Sequence, residues 1–565
     1  MLLLTAPPAF AQTSPVLPSQ IIDEGLRRQE ERDTQQQRSQ QLQADVLSKP
    51  QLGPLPAVLP DETPCFSIDE ITLEGPSWQR FHWLLRETEP YLTRCVGVQG
   101  LKRIVSTLDA VLIEQGYATT RIALPPQNLS EGRLRLALHV GRISEIRMVR
   151  SEDGKAVPDD RWGTWMNAFP VSEGDVLNVR ELEQGLEQMK RLPSQSVTTQ
   201  LEPGEQPDTS VLVIRRETGE FKDRLHGGVT VDNSGSASLG RTQLFANLAL
   251  DNALGLNDLL NVGFNTNAES PDSDHRSQTM LVNYIIPWGY SALSLNWSRN
   301  EFAQIVQGTT AQFLSSGNSE SLGFRWQHVA LRTASSKSGF WLGLWKRRAN
   351  SYLDDVELVV QQRHTTNVEL GVAHRQLIGE VTLDADIAYR RGTPWLNAQE
   401  DLPTSEGNGL TLRPHMATFN AMLNWAGNAG GRNFLWSSML HGQLTHDMTL
   451  SIDQIAIGGR GSVRGFDGDR VLLAESGWIW RNELALPFRL IDGIETSGYA
   501  AFDAGRVWGP SAANLVGNAL VGAALGVRAW RNHLQFDAAL GVPVYKPDGF
   551  VTAAVTAYVS ATYSF

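Results

Sequence analysis

From about Leu225 to Phe565 the chain holds no helical stretch of any length; it alternates instead. LNVGFNTN, ALSLNWSRN, SLGFRWQH, EVTLDADIAYR, ATFNAMLNWAG and HLQFDAALG place apolar residues at every second position, and about sixteen such segments are separated by turn or loop residues. Successive strand side chains point to opposite faces, so each segment has an oily side and a polar side. The ending VTAAVTAYVSATYSF, 551–565, reads as one long strand of this kind, with small hydroxyls on most even positions. A soluble sandwich would also alternate. The polar face separates the two: it carries Asp384, Asp386, Asn420, Asn424, Arg481, Glu483, Asp503, Arg528, Gln535 and Asp537. Trp288, Trp297, Trp425, Trp478 and Trp530 recur near strand ends. Apolar outside, charged inside and aromatic at the rims is how a closed barrel avoids open edges in lipid. The expected fold is therefore mostly β, a transmembrane barrel of about sixteen strands over 225–565. No apolar run approaches the ~18 residues of a membrane helix.

Upstream, a pattern repeats. FSIDEITLEG (66–75) resembles GRISEIRMVR (141–150), and RLRLALHV (133–140) resembles TSVLVIRR (209–216), at a spacing of about 75 residues. Helical patterns lie between: WQRFHWLLRETEPYL and LKRIVSTLDAVLIEQGY in the first unit, DRWGTWMNAF and VRELEQGLEQMKRL in the second. Each unit reads strand–helix–helix–strand–strand, so two tandem α+β modules are expected at 65–141 and 142–218. Before them, KPQLGPLPAVLPDETP belongs to a proline-rich extended linker, 48–64. The segment 19–47 is rich in helix formers yet nearly free of large apolar residues, so an ordinary core cannot bury it. It is either solvated and disordered or seated in a polar tunnel. MLLLTAPPAFAQ carries a small-x-small cleavage pattern at Ala9 and Ala11 and reads as a signal-peptide remnant, 1–11.

Composition narrows the chemistry. A formal charge of −12 argues against nucleic acid as a partner. The 11 histidines are scattered, with none in a recognisable motif beside Ser or Asp, so no enzyme is expected. No GxxxxGK[ST] occurs, and neither a cofactor nor a metal is expected. The two cysteines, Cys65 and Cys95, sit in no CxxC pattern. They are two buried thiols or, in an oxidising compartment, a disulfide worth roughly 3–4 kcal/mol. The cleavage pattern at Ala9 and Ala11 hints at such a compartment, and Cys65 and Cys95 are carried as a candidate disulfide.

After the eleventh alternating segment comes LSIDQIAIGGRGSVRGFDGDRVLLAESG, 450–477, whose middle is too rich in glycine and charge for a strand. It is no phosphate cradle, since no helix follows, and GSVRG lacks the nucleophile-elbow spacing. Val463 and Phe466 flanking Arg464-Gly465 suggest a docked loop, about 450–473, rather than a free one. Two segments on, SGYAAFDAGRVWG places Asp503 by parity on the inner face with Tyr499 and Ala501, and Phe502 toward lipid. Gly505 leaves room on that inner face for a close approach.

A VRGF loop between the eleventh and twelfth strands, followed by F-D-x-G on the thirteenth, resembles the outer-membrane transporters of two-partner secretion. These are the haemolysin and filamentous-haemagglutinin secretion proteins, with contact-dependent-inhibition transporters among them. PCFSIDEITLEG, GYATTRIALPPQNLSEGRLRLALHVGRI and the terminal Phe565 are similar to family signatures, and the resemblance spans nearly the whole chain. It implies two periplasmic POTRA domains, a helix at 19–47 plugging the pore, and Phe565 as part of the signal read by the barrel-assembly machinery. It also implies that Arg464 of the Val463–Phe466 motif folds into the lumen and pairs with Asp503. The implied partner is one large β-helical exoprotein, a cytolysin, an adhesin or a growth-inhibition toxin, received unfolded at the POTRA domains and exported without nucleotide hydrolysis. A barrel-insertion protein shares the POTRA modules and the loop, and is the alternative.

Overall fold

The computed structural model describes residues 46–47, 58–152, 155–237, 239–269, 274–307, 311–402 and 409–565. The expected signal remnant, nearly all of the plug segment and most of the linker lie outside the described residues.

The first module folds around alternation meeting a helical stripe. In the strand Arg133–His139, Leu134, Leu136 and Leu138 point inward, and they face Ile104, Leu108 and Leu112 of helix α1 (Val98–Glu114). Four-residue spacing puts those three on one side of the helix. The N-cap Gly97 has no side chain to cover the first amides of α1. Glu62 supplies the acceptors from a distance, taking Gln99 N at 2.7 Å and Gly100 N at 2.6 Å. Cys65 and Cys95 are disulfide-bonded, with Cα atoms 5.3 Å apart, beside the short ladder Phe66–Ile68 with Arg94–Val96. The segment expected to be the first helix is a 3₁₀ helix, Trp78–Tyr91.

The second module repeats the arrangement around helix α2 (Val179–Lys190). Its N-cap Asn178 accepts from Arg180 N, and it carries acid in the first turn and base in the last. In both modules the repeated sequences pair as parallel neighbours: Glu70–Glu74 with Arg133–Ala137, and Arg142–Val149 with Thr209–Arg215. The expectation fails in one place. DRWGTWMNAF forms turns, not a helix, because its polar groups are committed to the barrel. Trp162 Nε1 donates to Asn252 O at 2.9 Å, and Asn167 Nδ2 donates to Leu256 O and Pro287 O at 2.5 and 2.9 Å.

Sixteen strands from Leu225–Asp232 to Thr556–Ser564 form a closed antiparallel barrel, with the two-residue strand Val356–Glu357 added at one rim. Closure is direct: the first strand pairs with the last, Gly228–Ser564 through Asp232–Ser560. Side chains alternate across the wall. Phe502, Leu525, Val527, Phe536, Val559 and Tyr563 are exposed on the outside. Asp384, Asp386, Asn420, Asn424, Arg481, Glu483, Arg528, Gln535 and Asp537 line an internal cavity of about 2800 Å³. Of the expected rim tryptophans, Trp288 and Trp425 are exposed, whereas Trp297 and Trp530 border the cavity. The final strand is shorter than its alternation suggests: it begins at Thr556, because Ala553 N is taken by the Asp467 carboxylate at 2.8 Å. No helix among the described residues is long and apolar enough to cross a membrane.

The second module is fastened to the turns at one end of the barrel. Gln184 and Gln188 of α2 donate to Gly289 O at 3.2 and 3.0 Å, and Glu187 pairs with Arg332 at 2.8 Å and Lys337 at 2.5 Å. Burial raises the Glu187 pKa, but the two cations outweigh it and hold the carboxyl below the usual glutamate range. A depressed folded-state pKa contributes stability that is present above the unfolded value of about 4.3 and is lost as pH falls through the lower folded value. The protection of α2 amides relative to their intrinsic exchange rates is therefore expected to hold from pH 8 to 5 and to fall only below that range. Glu187→Gln is expected to lower it already at pH 7; unchanged protection in that variant would remove the clamp.

Candidate functional site

The long connection between the eleventh strand, Arg432–Leu444, and the twelfth, Ser476–Ile491, turns back into the barrel. Its stem is a short hairpin, Ile455–Ile457 with Leu472–Ala474. Ile455, Ile457, Val463, Phe466 and Leu472 pack with Ile479, Val507, Leu520 and Phe550 into an apolar cluster on the inner wall. Val463 and Phe466 are fully buried, and the Phe466 ring meets Phe550 edge-on at 5.8 Å. Burying a side chain of that size stabilises by roughly 1.5–3 kcal/mol.

Between these two anchors Arg464 reaches the wall of the thirteenth strand, Ile494–Trp508. Its Nε donates to Asp503 Oδ2 at 2.7 Å and its Nη2 to Oδ1 at 2.9 Å, a two-pronged bond. The backbone N–H of Arg464 adds a third contact to Oδ2 at 3.0 Å. Nη1 donates to Glu483 Oε2 at 2.6 Å, and Nη2 also reaches Asn482 O at 3.1 Å. Asp503 is fully buried and Arg464 nearly so. Glu483 is shared with Arg528, which in turn donates to Asp537 Oδ2 at 2.8 Å and lies 4.1 Å above the Tyr499 ring. Tyr499 closes the chain by donating to Asp537 Oδ1 at 2.9 Å. Arg481 approaches Asp503 at 3.8 Å, so three guanidinium groups face three carboxylates. A balanced, hydrogen-bonded network is the form in which charge can be buried without an outstanding desolvation cost.

Glycines make the seat. A Cβ on Gly505 would sit 2.8 Å from Ile457 Cγ2 and 3.0 Å from Val463 Cγ2. One on Gly522 would collide with Arg464 O, and one on Gly541 would lie 2.9 Å from Gly465 Cα. Gly465 itself has φ 109°, a conformation that favours glycine. The motif residues Val463, Arg464, Gly465 and Phe466 thus meet Asp503 and Gly505, while Phe502 faces outward and takes no part. Cys65 and Cys95 lie in the first module, and Phe565 sits at the barrel seam, bonded to Gly227. Sequence reasoning missed Glu483 as a second partner of Arg464, although its inward parity was visible. It also missed Gly522 and Gly541.

Removing one member of a buried charge pair costs about 3–5 kcal/mol. Arg464→Ala is accordingly expected to unseat the loop while the barrel still assembles. Faster hydrogen exchange at 463–466 with normal heat-modifiable migration would show this. Glu483→Gln, which leaves the Asp503 bond in place, is expected to have the smaller effect; equal effects would contradict the ranking.

Residues 208–529 match the family described as haemolysin secretion/activation protein ShlB/FhaC/HecB, residues 66–141 a ShlB-type POTRA domain, and residues 143–203 a POTRA domain. The chain is 36% identical to the outer membrane transporter CdiB-2 of Burkholderia pseudomallei, over 96% of this chain and 94% of that protein. It is 27% identical to the hemolysin transporter protein HpmB of Proteus mirabilis, over 81% and 78% respectively. Among solved structures it is similar to CdiB from Escherichia coli, with a TM-score of 0.84 and 25% identity over 98% of this chain and all of that one. The chain belongs to the haemolysin secretion/activation protein family, the outer-membrane β-barrel transporters of two-partner secretion, whose POTRA domains lie in the periplasm.

Proposed function

We propose that this protein exports one large β-helical exoprotein, a cytolysin, adhesin or growth-inhibition toxin, through the barrel lumen after receiving it unfolded at the POTRA modules. The observation that supports this most is a polar cavity of about 2800 Å³ inside a membrane barrel, bordered at its periplasmic end by Gln184, Glu187, Gln188 and Arg191 of the second module. A wet, charged bore suits an extended polypeptide, whose own backbone groups remain solvated there. In this reading the segment 19–47 plugs the pore at rest, residues 1–11 are the remnant of a signal peptide and 48–64 a linker. Phe565 belongs to the strand read by the barrel-assembly machinery, and the outer face is covered by lipid. Export draws on folding of the cargo outside.

An extended chain adds to a sheet by pairing with an open edge. In the first module one of the two edge strands is Glu70–Glu74, with no strand among the described residues along its outer side. The matching edge of the second module is occupied by its own chain. Lys155–Pro158 pairs with Val149–Glu152, and Ile143 exchanges backbone bonds with Gly174 and Asp175. At this edge, then, the first module is the one left open to receive a strand. A photo-crosslinker at Thr72 is expected to capture the exoprotein during export, and one at Arg147 is not. Capture at 147 alone would reverse the assignment. Arg464→Ala is expected to cut export at least tenfold with the barrel still in the outer membrane, read as exoprotein in the medium.

A further inference from the structure

The barrel closes along its shortest junction. Five register pairs join the first strand to the last, extended by reciprocal backbone bonds between Gly227 and Phe565, whereas the two flanking junctions have eight pairs each. The docked loop lies across this seam and bonds to both sides of it. On the last-strand side, the Tyr558 hydroxyl accepts from Gly465 N at 2.8 Å and donates to Phe466 O at 2.8 Å, gripping the loop backbone at two successive residues. Arg460 donates to Val559 O at 3.2 Å and Ser560 Oγ at 3.4 Å, and Asp467 accepts from Ala553 N at 2.8 Å. On the first-strand side, Asp469 accepts from Ala237 N at 3.0 Å and pairs with Arg241 at 2.5 Å. Both of those residues lie in the connection from the first strand to the second, Gln243–Asp251.

From this geometry we infer that the loop is a strap over the seam, with Tyr558 and Asp469 as its two positioning residues. Seating the loop holds the first hairpin and the last strand together, and releasing it loosens the barrel at one junction. The twelfth and thirteenth strands carry the Arg464 network, so they supply the fixed end of the strap. Tyr558 is the residue that makes the connection, since its ring stands on the last strand while its hydroxyl serves only the loop backbone. The inference is independent of which exoprotein is carried.

The test is residue-resolved hydrogen exchange on the full chain in lipid nanodiscs, with Tyr558→Phe, Asp469→Asn and the double variant. Tyr558→Phe keeps the ring and removes both loop bonds. Exchange at 228–232 and 560–564 is expected to rise more than tenfold in the double variant and less in each single one. The distant pair Gln312–Arg332 with Ser336–Leu353 should stay at the wild-type rate. The charge swap Asp469→Arg with Arg241→Asp should restore most of the seam's protection relative to Asp469→Asn. Faster exchange at 463–466 with an unchanged seam would overturn the strap, as would faster exchange around the whole barrel or no change anywhere.

Discussion

In hydrocarbon every backbone N–H and C=O must find its partner within the protein, and a sheet can do this only by closing on itself. That requirement organises the rest of this molecule. Because the sheet closes, one face of every strand turns outward and the other lines an enclosed polar interior, and the two-residue period assigns each side chain to one of them. Because the interior is wet and walled, charged residues can be concentrated there, and a loop of the same chain can be held by them. The modules outside obey ordinary rules of burial, with helix stripes against alternating strands, and they reach the barrel through polar contacts to its turns.

The loop is held by two kinds of interaction with different consequences. Val463, Phe466 and their neighbours form a small apolar cluster against the wall. Contacts of this kind contribute in proportion to the area removed from water and are indifferent to direction. Arg464 adds direction: its planar fork fits Asp503 from one angle only, and Glu483 and Asn482 O fix the remaining donors. An exposed ion pair would be worth about 0–1 kcal/mol, too little to position a loop. Burial of Asp503 makes the pair expensive to break, since a carboxylate without its partner remains inside the wall. The glycines at 505, 522 and 541 then set how closely the backbone of the loop can approach.

Much of this was readable from residue order. Parity placed Asp503 inside and Phe502 outside, and the polar face listed by parity is the face that lines the cavity. The paired spacing of the repeats corresponds to the two parallel strand pairs of the modules. What escaped depends on contacts between residues far apart in the chain. Nothing local in GYAAFDAG or WRNELAL tells that Arg464 will divide its donors between Asp503 and Glu483. Tyr558 is an aromatic residue among small hydroxyls, and its bonds to Gly465 and Phe466 exist only after closure. DRWGTWMNAF carries a helical pattern, yet Trp162 and Asn167 are worth more as donors to barrel turns than as residues of a helix. The oily run at 551–555 looks like strand, and Asp467 removes its amide from the ladder.

The central claim is that the loop bearing Arg464 lies inside the closed barrel. Pulsed electron–electron resonance in lipid nanodiscs measures this directly, with one spin label at Gly461 on the loop and one at Ser437 on the luminal wall. Both positions border the internal cavity. A single narrow distance distribution, no longer than the width of the lumen, is the result the account predicts. A broad distribution reaching beyond the barrel's diameter would contradict it.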